Sequence, residues 1–286
     1  MLGLLTGVPT RQQRLAGRYA RAKGVPFEMP VRIDRASAAL AAFPVNADRA
    51  ADLLPGDAAL HPFRAFGNTG LLLVTATDYE ATSFGAYVEL GLMIVCTRGA
   101  RPAPPLVSLL RPRHYGVGLY VVDLPVSTER SARAGRDIWG LPKRRADLDV
   151  RVGEDVVSGR YGKDGQLACR IDIGRPSSAP VNVPFYVEVP AYSRFRGMLV
   201  RSRLYVRARA GVAAFGGASA RLALGEHPRV QPLEALEVAH LYGLRAAGRR
   251  RARRPHREVV RDARRAARSI GPQRIAGSLG FTRPRT

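Results

Sequence analysis

The sequence predicts a mainly β fold of the α+β class, in which antiparallel strands curl into a barrel-like sheet with a few helices at its margin. Two observations predict this fold class. Short apolar runs of strand length recur along the chain between turns that contain glycine or proline, and helix signals are few. With 286 residues, of which 46% are hydrophobic, the chain can fill one core of generous size.

Composition divides the chain into three parts. Residues 1–40 are rich in Ala, Arg and Pro without a sustained period, which predicts an N-terminal extension whose end joins the domain. Residues 41–244 carry the strand pattern and form the predicted domain, and residues 245–286 form an Arg-rich tail. The apolar start, 1–7, is too short for the core of a signal peptide or for a membrane span, so we expect a cytoplasmic protein.

The first half of the domain begins with a helix and continues with strands. Asn46 is a candidate N-cap and Pro55 a stop, so a helix is predicted over 46–55. Four apolar runs then predict strands: 71–77, 88–96, 107–110 and 117–122. The first two runs are apolar on both faces, which is typical of buried strands.

The second half of the domain contains one more short helix and a meander. The helix is predicted over 127–136, with Ser127 or Thr128 as its cap and with Gly140 and Pro142 as the residues that end it. Alternation of polar and apolar residues predicts strands over 149–152, 156–161, 167–173 and 198–207.

The domain closes with a helix predicted over 232–241, after which the composition shifts. Between Arg245 and Arg285 there are 14 arginines against Glu258 and Asp262, a net charge of 14 − 2 = +12, about half of the +23 of the whole chain. Such a segment can bind nucleic acid, an anionic membrane surface or an acidic partner weakly. It can equally be a solvated tail.

Lysine is scarce in this sequence. Of the 46 Lys and Arg residues only three are lysines: Lys23, Lys143 and Lys163. An arginine cannot replace a lysine that must lose its proton and attack a carbonyl, because guanidinium stays charged at any working pH. Lys163 lies in a predicted hairpin turn and Lys23 in the polar N-terminal range, where lysines are ordinary. Lys143 is therefore the candidate catalytic amine.

Lys143 follows the apolar run 138–142 and precedes Arg144. Removal from water and a neighbouring positive charge both favour the neutral form of an amine, which is the nucleophile for ketones. The residues alone leave a second interpretation open, in which Lys143 is a surface residue that stabilises the dipole at a helix end.

Glu89 is the candidate acid. It lies in the apolar strand predicted over 88–96, and burial there favours the protonated carboxyl that a proton donor to an enamine needs. The alternative is a glutamate at the entrance of a strand that pairs with one of the many arginines.

Two segments resemble signatures of the acetoacetate decarboxylase family. In the first, Gly-Arg-Glu leads through an aromatic or apolar residue and a proline to a Lys-Lys pair. Its counterparts here are Gly135, Arg136, Asp137, Leu141, Pro142, Lys143 and Arg144. In the second, Gly-x-Tyr-x-Glu opens a buried strand, and residues 85–89 are similar to it. The likeness extends loosely from about Phe43 to Glu237.

The resemblance implies a fold and a chemistry. Lys143 is expected to form a Schiff base with a small 3-keto acid, Glu89 to face it and serve the proton steps, and Arg144 to keep the positive charge of the second lysine and to meet the substrate carboxylate. The implied activity is that of a decarboxylase, a carboxy-lyase that uses no metal and no organic cofactor. The resemblance also implies a homo-oligomer.

Three side chains near the two signatures are the candidate substrate contacts: Trp139, Leu141 and Tyr87. Their apolar surface is expected to favour a small or alkyl-bearing keto acid. Relatives with the same lysine run aldol or dehydration chemistry on 2-keto acids, which is a second candidate function. A third is a non-catalytic binding protein that works through the basic tail.

The sequence also departs from the family pattern. A second acidic residue of the family would fall near Val74, where there is no carboxylate, and the family's arginine near the N-terminal entry has only Arg32 and Arg35 as loose counterparts. These departures make the lysine chemistry a firmer expectation than acetoacetate as the substrate.

Other reactive side chains show no pattern of a site. Cys96 and Cys169 each lie in an apolar run and are predicted to be small buried residues rather than a disulfide. The five histidines lack the spacing of metal ligands: His61, His114, His227, His240 and His256.

Overall fold

Strands dominate the computed structural model, which describes residues 19–28, 31–56, 59–105, 107–174, 181–212, 219–238 and 277–279. The strands are β1 (Tyr19–Ala22), β2 (Val25–Glu28), β3 (Val31–Asn46), β4 (Leu60–Pro62), β5 (Thr69–Thr82), β6 (Tyr87–Arg98), β7 (Gly118–Val126), β8 (Lys143–Arg145), β9 (Asp147–Val152), β10 (Val156–Lys163), β11 (Gln166–Gly174), β12 (Val181–Phe195), β13 (Met198–Val212), β14 (Ala220–Leu224) and β15 (Gly277–Leu279). The mainly β fold predicted from the sequence is confirmed.

Within the described residues, four short helices accompany these strands: α1 (Ala47–Asp52), α2 (Val107–Leu110), α3 (Glu129–Trp139) and α4 (Gln231–Glu234). The predicted cap of α1 is confirmed, because Asn46 accepts hydrogen bonds from the backbone N–H groups of Asp48 and Arg49. Thr128 caps α3 by accepting from the N–H of Ser131. None of the helices within the described ranges is long and apolar enough to cross a membrane.

Two local predictions differ from the structure. The strand predicted over 107–110 is wrong, since these residues form α2, in which Leu109 and Leu110 are exposed. A run of four apolar residues does not distinguish a strand from a helical turn. The helix predicted over 232–241 is present as α4 but has only four residues, and the structure describes the chain only as far as residue 238 in this region.

The strands form three sheets. The largest has nine strands in the order β13-β12-β7-β6-β5-β3-β15, with β4 on β6 and β8 on β7. A four-stranded sheet has the order β14-β11-β10-β9, and β1 pairs with β2 alone. Both larger sheets are open paths among the described residues, so the predicted barrel-like closure stays a prediction. Alternation along the strands cannot decide it, because sandwiches and barrels bury alternate residues equally.

The two larger sheets pack face to face. Leu72, Val74 and Ala76 of β5 contribute to one core cluster with Ile171 and Ile173 of β11. We call this side of the nine-stranded sheet the core face.

The approach of the two sheets is close where β10 crosses the nine-stranded sheet. A Cβ added to Gly159 of β10 would lie 3.2 Å from Leu90 Cδ1 and 3.3 Å from Ala76 Cβ.

The opposite side of the nine-stranded sheet is also covered. Helix α3 and the β1–β2 hairpin pack there, and Phe27, Trp139 and Leu141 join Met93 and Leu124 of the sheet in a second cluster. We call this side the site face. Because both faces are covered, β6 is buried on both sides, which explains its continuous apolar sequence.

Residues 19–28 and 31–40, predicted to belong to an N-terminal extension, contribute strands to the sheets. Strand β3 pairs with β5 from Ile33 to Asn46, and Val31, Ala36 and Ala39 are buried. The sequence did not predict β3, because alanines and charged residues stand where large apolar side chains are expected in a strand that its neighbours cover. Of the predicted tail, only residues 277–279 are described; they form β15 beside β3.

Candidate active site

The end of α3 delivers the chain to Lys143. Gly140 has a φ of 68°, in the left-handed region that glycine tolerates, and its N–H donates to the carbonyl of Arg136. The N–H of Leu141 donates to the carbonyl of Gly135, which completes the helix stop. Strand β8 then pairs in parallel with β7, and Lys143 lies beside Leu124. The predicted role of Gly140 is confirmed.

Two serines from distant strands fix this turn. Ser193 Oγ donates to the carbonyl of Gly140 at 2.8 Å, and Ser202 Oγ donates to the carbonyl of Trp139 at 3.1 Å. Both hydroxyls are buried, so they satisfy carbonyls that a helix end leaves without partners. Sequence reasoning missed both serines because they lie more than 50 residues from the turn.

Gly135 lets the lysine pass under α3. A Cβ on Gly135 would overlap Lys143 Cδ and would lie only 2.6 Å from Lys143 Cγ. The glycine of the first signature therefore provides the space for the lysine stem.

The amine of Lys143 meets a carboxylate. Its Nζ lies 2.5 Å from Oε2 of Glu89, and the two side chains are only 7% and 10% exposed. Glu89 stands on β6 between its sheet partners Thr77 of β5 and Val126 of β7. The structure thus brings together the two residues that the sequence singled out as amine and acid.

Aromatic rings surround this pair. Lys143 Nζ lies 5.3 Å from the centroid of the Tyr87 ring, and the rings of Tyr79 and Phe84 stack on Tyr87 with centroid distances of 4.5 and 5.4 Å. Tyr79 also donates from its hydroxyl to Glu89 Oε1 at 3.4 Å. The structure places Tyr87 beside the amine.

Both tyrosines remain neutral phenols over the ordinary pH range. Burial raises the pKa of Tyr79 well above its usual value of 10.0, and the charge of Glu89 adds to the effect. Burial also raises the pKa of Tyr87, with further contributions from Tyr79 and Glu89. They can donate hydrogen bonds to the carboxylate side of the site.

Sequence reasoning missed Tyr79. Its signal was available only through the pairing of β5 with β6, which sets Tyr79 directly opposite Tyr87.

Arg144 lies on the core face. It forms an ion pair with Asp123, and its guanidinium donates to the hydroxyl of Tyr161 at 2.7 Å. Burial raises the pKa of Asp123, and the charge of Arg144 opposes that shift. Adjacent residues of a strand point to opposite faces, so the strand that directs Lys143 to Glu89 directs Arg144 away from it. Arg144 therefore does not lie where it could contact a substrate carboxylate beside Lys143.

The other residues predicted from the sequence lie in three different environments. Trp139 and Leu141 are 6% and 5% exposed in the cluster on the site face. Val74, the position expected for a second acidic residue, is fully buried on the core face. Arg35 pairs with Glu80 and Arg32 with Asp34.

Within the described residues, the candidate site contains an amine, a carboxyl group and two phenols in an apolar enclosure. Among the residues that the structure describes there is no group of three or more His, Cys, Asp or Glu side chains arranged to hold a metal ion. Cys96 and Cys169 are free and fully buried, as predicted.

The fold and the two signatures can be compared with known proteins. A family model described as acetoacetate decarboxylase (ADC) matches residues 16–249. No curated protein matches the chain in sequence.

Solved structures show a similar fold. An acetoacetate decarboxylase from Legionella pneumophila subsp. pneumophila str. Philadelphia 1 is 14% identical; the match covers 93% of this chain and 89% of that chain, with a TM-score of 0.50. A second structure, described as structural studies of acetoacetate decarboxylase, is 15% identical, with 90% of each chain covered and a TM-score of 0.53. The family model spans most of the chain, and the chain therefore belongs to the acetoacetate decarboxylase family.

Proposed function

We propose that the protein is a Schiff-base-forming decarboxylase of a small 3-keto acid, with Lys143 as the electron sink. The observation that carries the proposal is the buried amine of Lys143, whose Nζ lies 2.5 Å from Oε2 of Glu89 beside the ring of Tyr87. A surface lysine at a helix end, the alternative interpretation of the sequence, would be exposed, whereas the Lys143 side chain is 7% exposed.

The reaction follows from the amine. Glu89 accepts a proton from Lys143, the neutral amine attacks the ketone carbon, and loss of water gives a protonated imine. The bond to the carboxylate carbon then breaks, its electron pair moves into the imine, and carbon dioxide leaves behind an enamine. Protonation of the enamine carbon and addition of water release the ketone and restore Lys143.

The neighbours divide the remaining roles. Tyr87, Trp139 and Leu141 provide an apolar enclosure that favours a small or alkyl-bearing substrate and removes water from the imine. Arg144, held by Asp123 on the core face, acts as a positioning residue that anchors strand β8.

The same imine supports a second candidate function, an aldol or dehydration reaction of a 2-keto acid. The observation that favours it lies on β5. This strand presents Thr77 and Tyr79 beside Glu89, and Val74, the position expected for a second acidic residue, lies on the core face without a carboxylate. The third candidate, a binding protein that uses the basic tail, rests on residues that lie mostly outside the described ranges. A homo-oligomer and a cytoplasmic location stay predictions.

Reductive trapping tests the proposal. Borohydride is added to the folded protein with acetoacetate, longer 3-keto acids or pyruvate in turn, and the peptides are mapped by mass. Reduction fixes the imine as a secondary amine, so the mass gained by each lysine identifies both the residue and the acid. The other lysines are internal controls, since Lys163 pairs with Asp164 in a hairpin turn and Lys23 lies in the turn between β1 and β2.

The expected result is an adduct on Lys143 alone, with carbon dioxide released from the 3-keto acids. An adduct from pyruvate without decarboxylation of any 3-keto acid favours the second candidate. Folded protein that forms no adduct with any ketone overturns the imine mechanism.

A further inference from the structure

We infer that Tyr79 is a positioning residue of this site, whose hydroxyl holds the Glu89 carboxylate in the orientation that accepts the proton of Lys143. The inference rests on the proposed imine chemistry and adds to it a residue that the two signatures do not contain.

The contacts place Tyr79 behind the acid. Glu89 uses Oε2 for the amine of Lys143 at 2.5 Å and Oε1 for the hydroxyl of Tyr79 at 3.4 Å. The two oxygens thus have different partners from different strands, β8 and β5. The hydrogen bond is long, as catalytic hydrogen bonds often are before a substrate is bound.

The ring of Tyr79 is fixed independently of its hydroxyl. It stacks on Tyr87 with a centroid distance of 4.5 Å and an angle of 19° between the planes. Tyr79 and Tyr87 are directly paired across β5 and β6, and so are Thr77 and Glu89 one step along the same strands. The sheet register therefore aims the hydroxyl at Glu89.

The titratable groups that face Glu89 come from three strands: Lys143 from β8, Tyr79 from β5 and Tyr87 from β6. On its remaining sides Glu89 is paired with Val126 of β7, and α3 presents Gly135 to the lysine stem. The phenol of Tyr79 stays protonated, since burial and the charge of Glu89 raise its pKa well above 10.0, so it remains a hydrogen-bond donor to Oε1 of Glu89.

Tyr87 supports the ring of Tyr79 and also lies beside the amine, since Lys143 Nζ is 5.3 Å from the centroid of its ring. Tyr79 thereby supplies a protic group on β5 next to Glu89 without a second carboxylate.

The test compares tyrosine hydroxyls in the full-length protein. Y79F removes the hydroxyl and keeps the stacked ring, and Y192F removes a hydroxyl that donates to the carbonyl of Gly116, away from the site. The rate of imine trapping on Lys143, with the keto acid that labels the wild type best, is measured at one pH over a range of keto-acid concentrations for each protein, which separates the maximal rate from the concentration that gives half of it. Thermal unfolding gives the folded fraction.

In Y79F the Glu89 carboxylate loses the donor that fixes its orientation, so the maximal trapping rate should fall about 10-fold to 100-fold. The keto-acid concentration that gives half the maximal rate should change little, because Tyr79 acts through Glu89 and not on the keto acid. Both quantities should match the wild type in Y192F.

Three outcomes separate the possibilities. A wild type that is never trapped overturns the proposed function itself. A trapped wild type with an unchanged maximal rate in folded Y79F overturns the role of Tyr79 and leaves it a packing residue. If Y79F does not fold, the decision passes to Y79L, a smaller side chain without the hydroxyl, in which an unchanged maximal rate overturns the inference.

Discussion

Two adjacent residues of one short strand, Lys143 and Arg144, form buried ion pairs with opposite consequences. Lys143 turns to the site face, where Glu89, Tyr79 and Tyr87 surround an amine that can lose its proton. Arg144 turns to the core face, where its permanent charge pairs with Asp123. The strand thus separates a pair that can exchange a proton from a pair that can only hold the fold together.

The ion pair on the core face also fixes the position of the strand that carries Lys143. Removing one partner of a buried ion pair leaves an uncompensated charge, which costs about 3–5 kcal/mol. The pair of Arg144 and Asp123 therefore resists any shift of β8 relative to β7, and the same resistance keeps Lys143 facing Glu89.

The largest expected effect separates the two cations directly. K143R keeps the charge but cannot form an imine, so trapping and turnover should fall by at least about 10³-fold. R144K keeps the ion pair with Asp123 and places an added lysine on the core face. It should retain imine formation at Lys143 within about tenfold of the wild type, because Lys lacks only the planar fork of Arg. Peptide mapping after borohydride checks both variants, and a label on the lysine at position 144 would contradict the separation of the two faces.

The next effect is on stability. R144M leaves Asp123 buried without its cation, and we expect the free energy of unfolding to fall by about 3–5 kcal/mol. The double variant D123L/R144M removes both charges and should be more stable than R144M alone. Urea unfolding of the wild type, both single variants and the double variant gives the coupling energy of the pair. Additive effects would mean that the two side chains do not depend on each other.

A smaller effect is expected where α3 crosses the lysine. In G135A the new Cβ overlaps the stem of Lys143, so the stem or the helix must move. Overpacking lowers the free energy of unfolding by about 1–3 kcal/mol. The better helix propensity of alanine offsets about 1 kcal/mol of this loss. Because displacement of a catalytic group by about 1 Å can cost 10²-fold, the trapping rate should fall about 10-fold to 100-fold. G56A is the matched control, since a Cβ at Gly56 meets no atom of the described part of the chain within 4 Å. Equal trapping rates in the two variants would remove the steric role of Gly135.

Two helix caps and two residues of the site were predictable from the sequence. The caps at Asn46 and Gly140 depend on neighbouring residues, and each is confirmed. Lys143 and Glu89 could be singled out because a scarce lysine and a lone acid in an apolar strand are unusual in this composition.

The partners could not be predicted in the same way. Tyr79 meets Glu89, and Asp123 meets Arg144, only through strand register, which the spacing of residues along the chain does not specify. Strand β8 has three residues, too few for a pattern that tells which of two adjacent cations faces the core. For the same reason the expectation that Arg144 lies beside the amine followed from sequence adjacency, whereas a strand places adjacent side chains on opposite faces.

The last effect concerns the thiols and appears only at alkaline pH. Cys96 and Cys169 are fully buried in the core cluster, and burial raises the pKa of each to about 12. In the unfolded chain a thiol ionises near its ordinary value of about 8.5, so the folded protein holds these protons over a pH range in which the unfolded chain has lost them. Stability is therefore complete below about pH 8 and falls as the pH rises, by up to about 1.4 kcal/mol per pH unit for each thiol.

Urea unfolding at pH 8.0, 9.0 and 10.0 for the wild type and for C96A/C169A measures this effect. The variant should start less stable at pH 8.0, because each substitution leaves a small cavity, but its stability should fall less steeply with pH. Tyr79 and Tyr87 act in the same direction above about pH 10, where phenols ionise in the unfolded chain. Below pH 10 the change of the unfolding free energy with pH thus comes from the thiols of the core face. Above pH 10 the phenols of the site face add to it. Identical slopes in the two proteins below pH 10 would show that the buried thiols do not control the alkaline limit, and the site-face phenols would then be the groups to replace next.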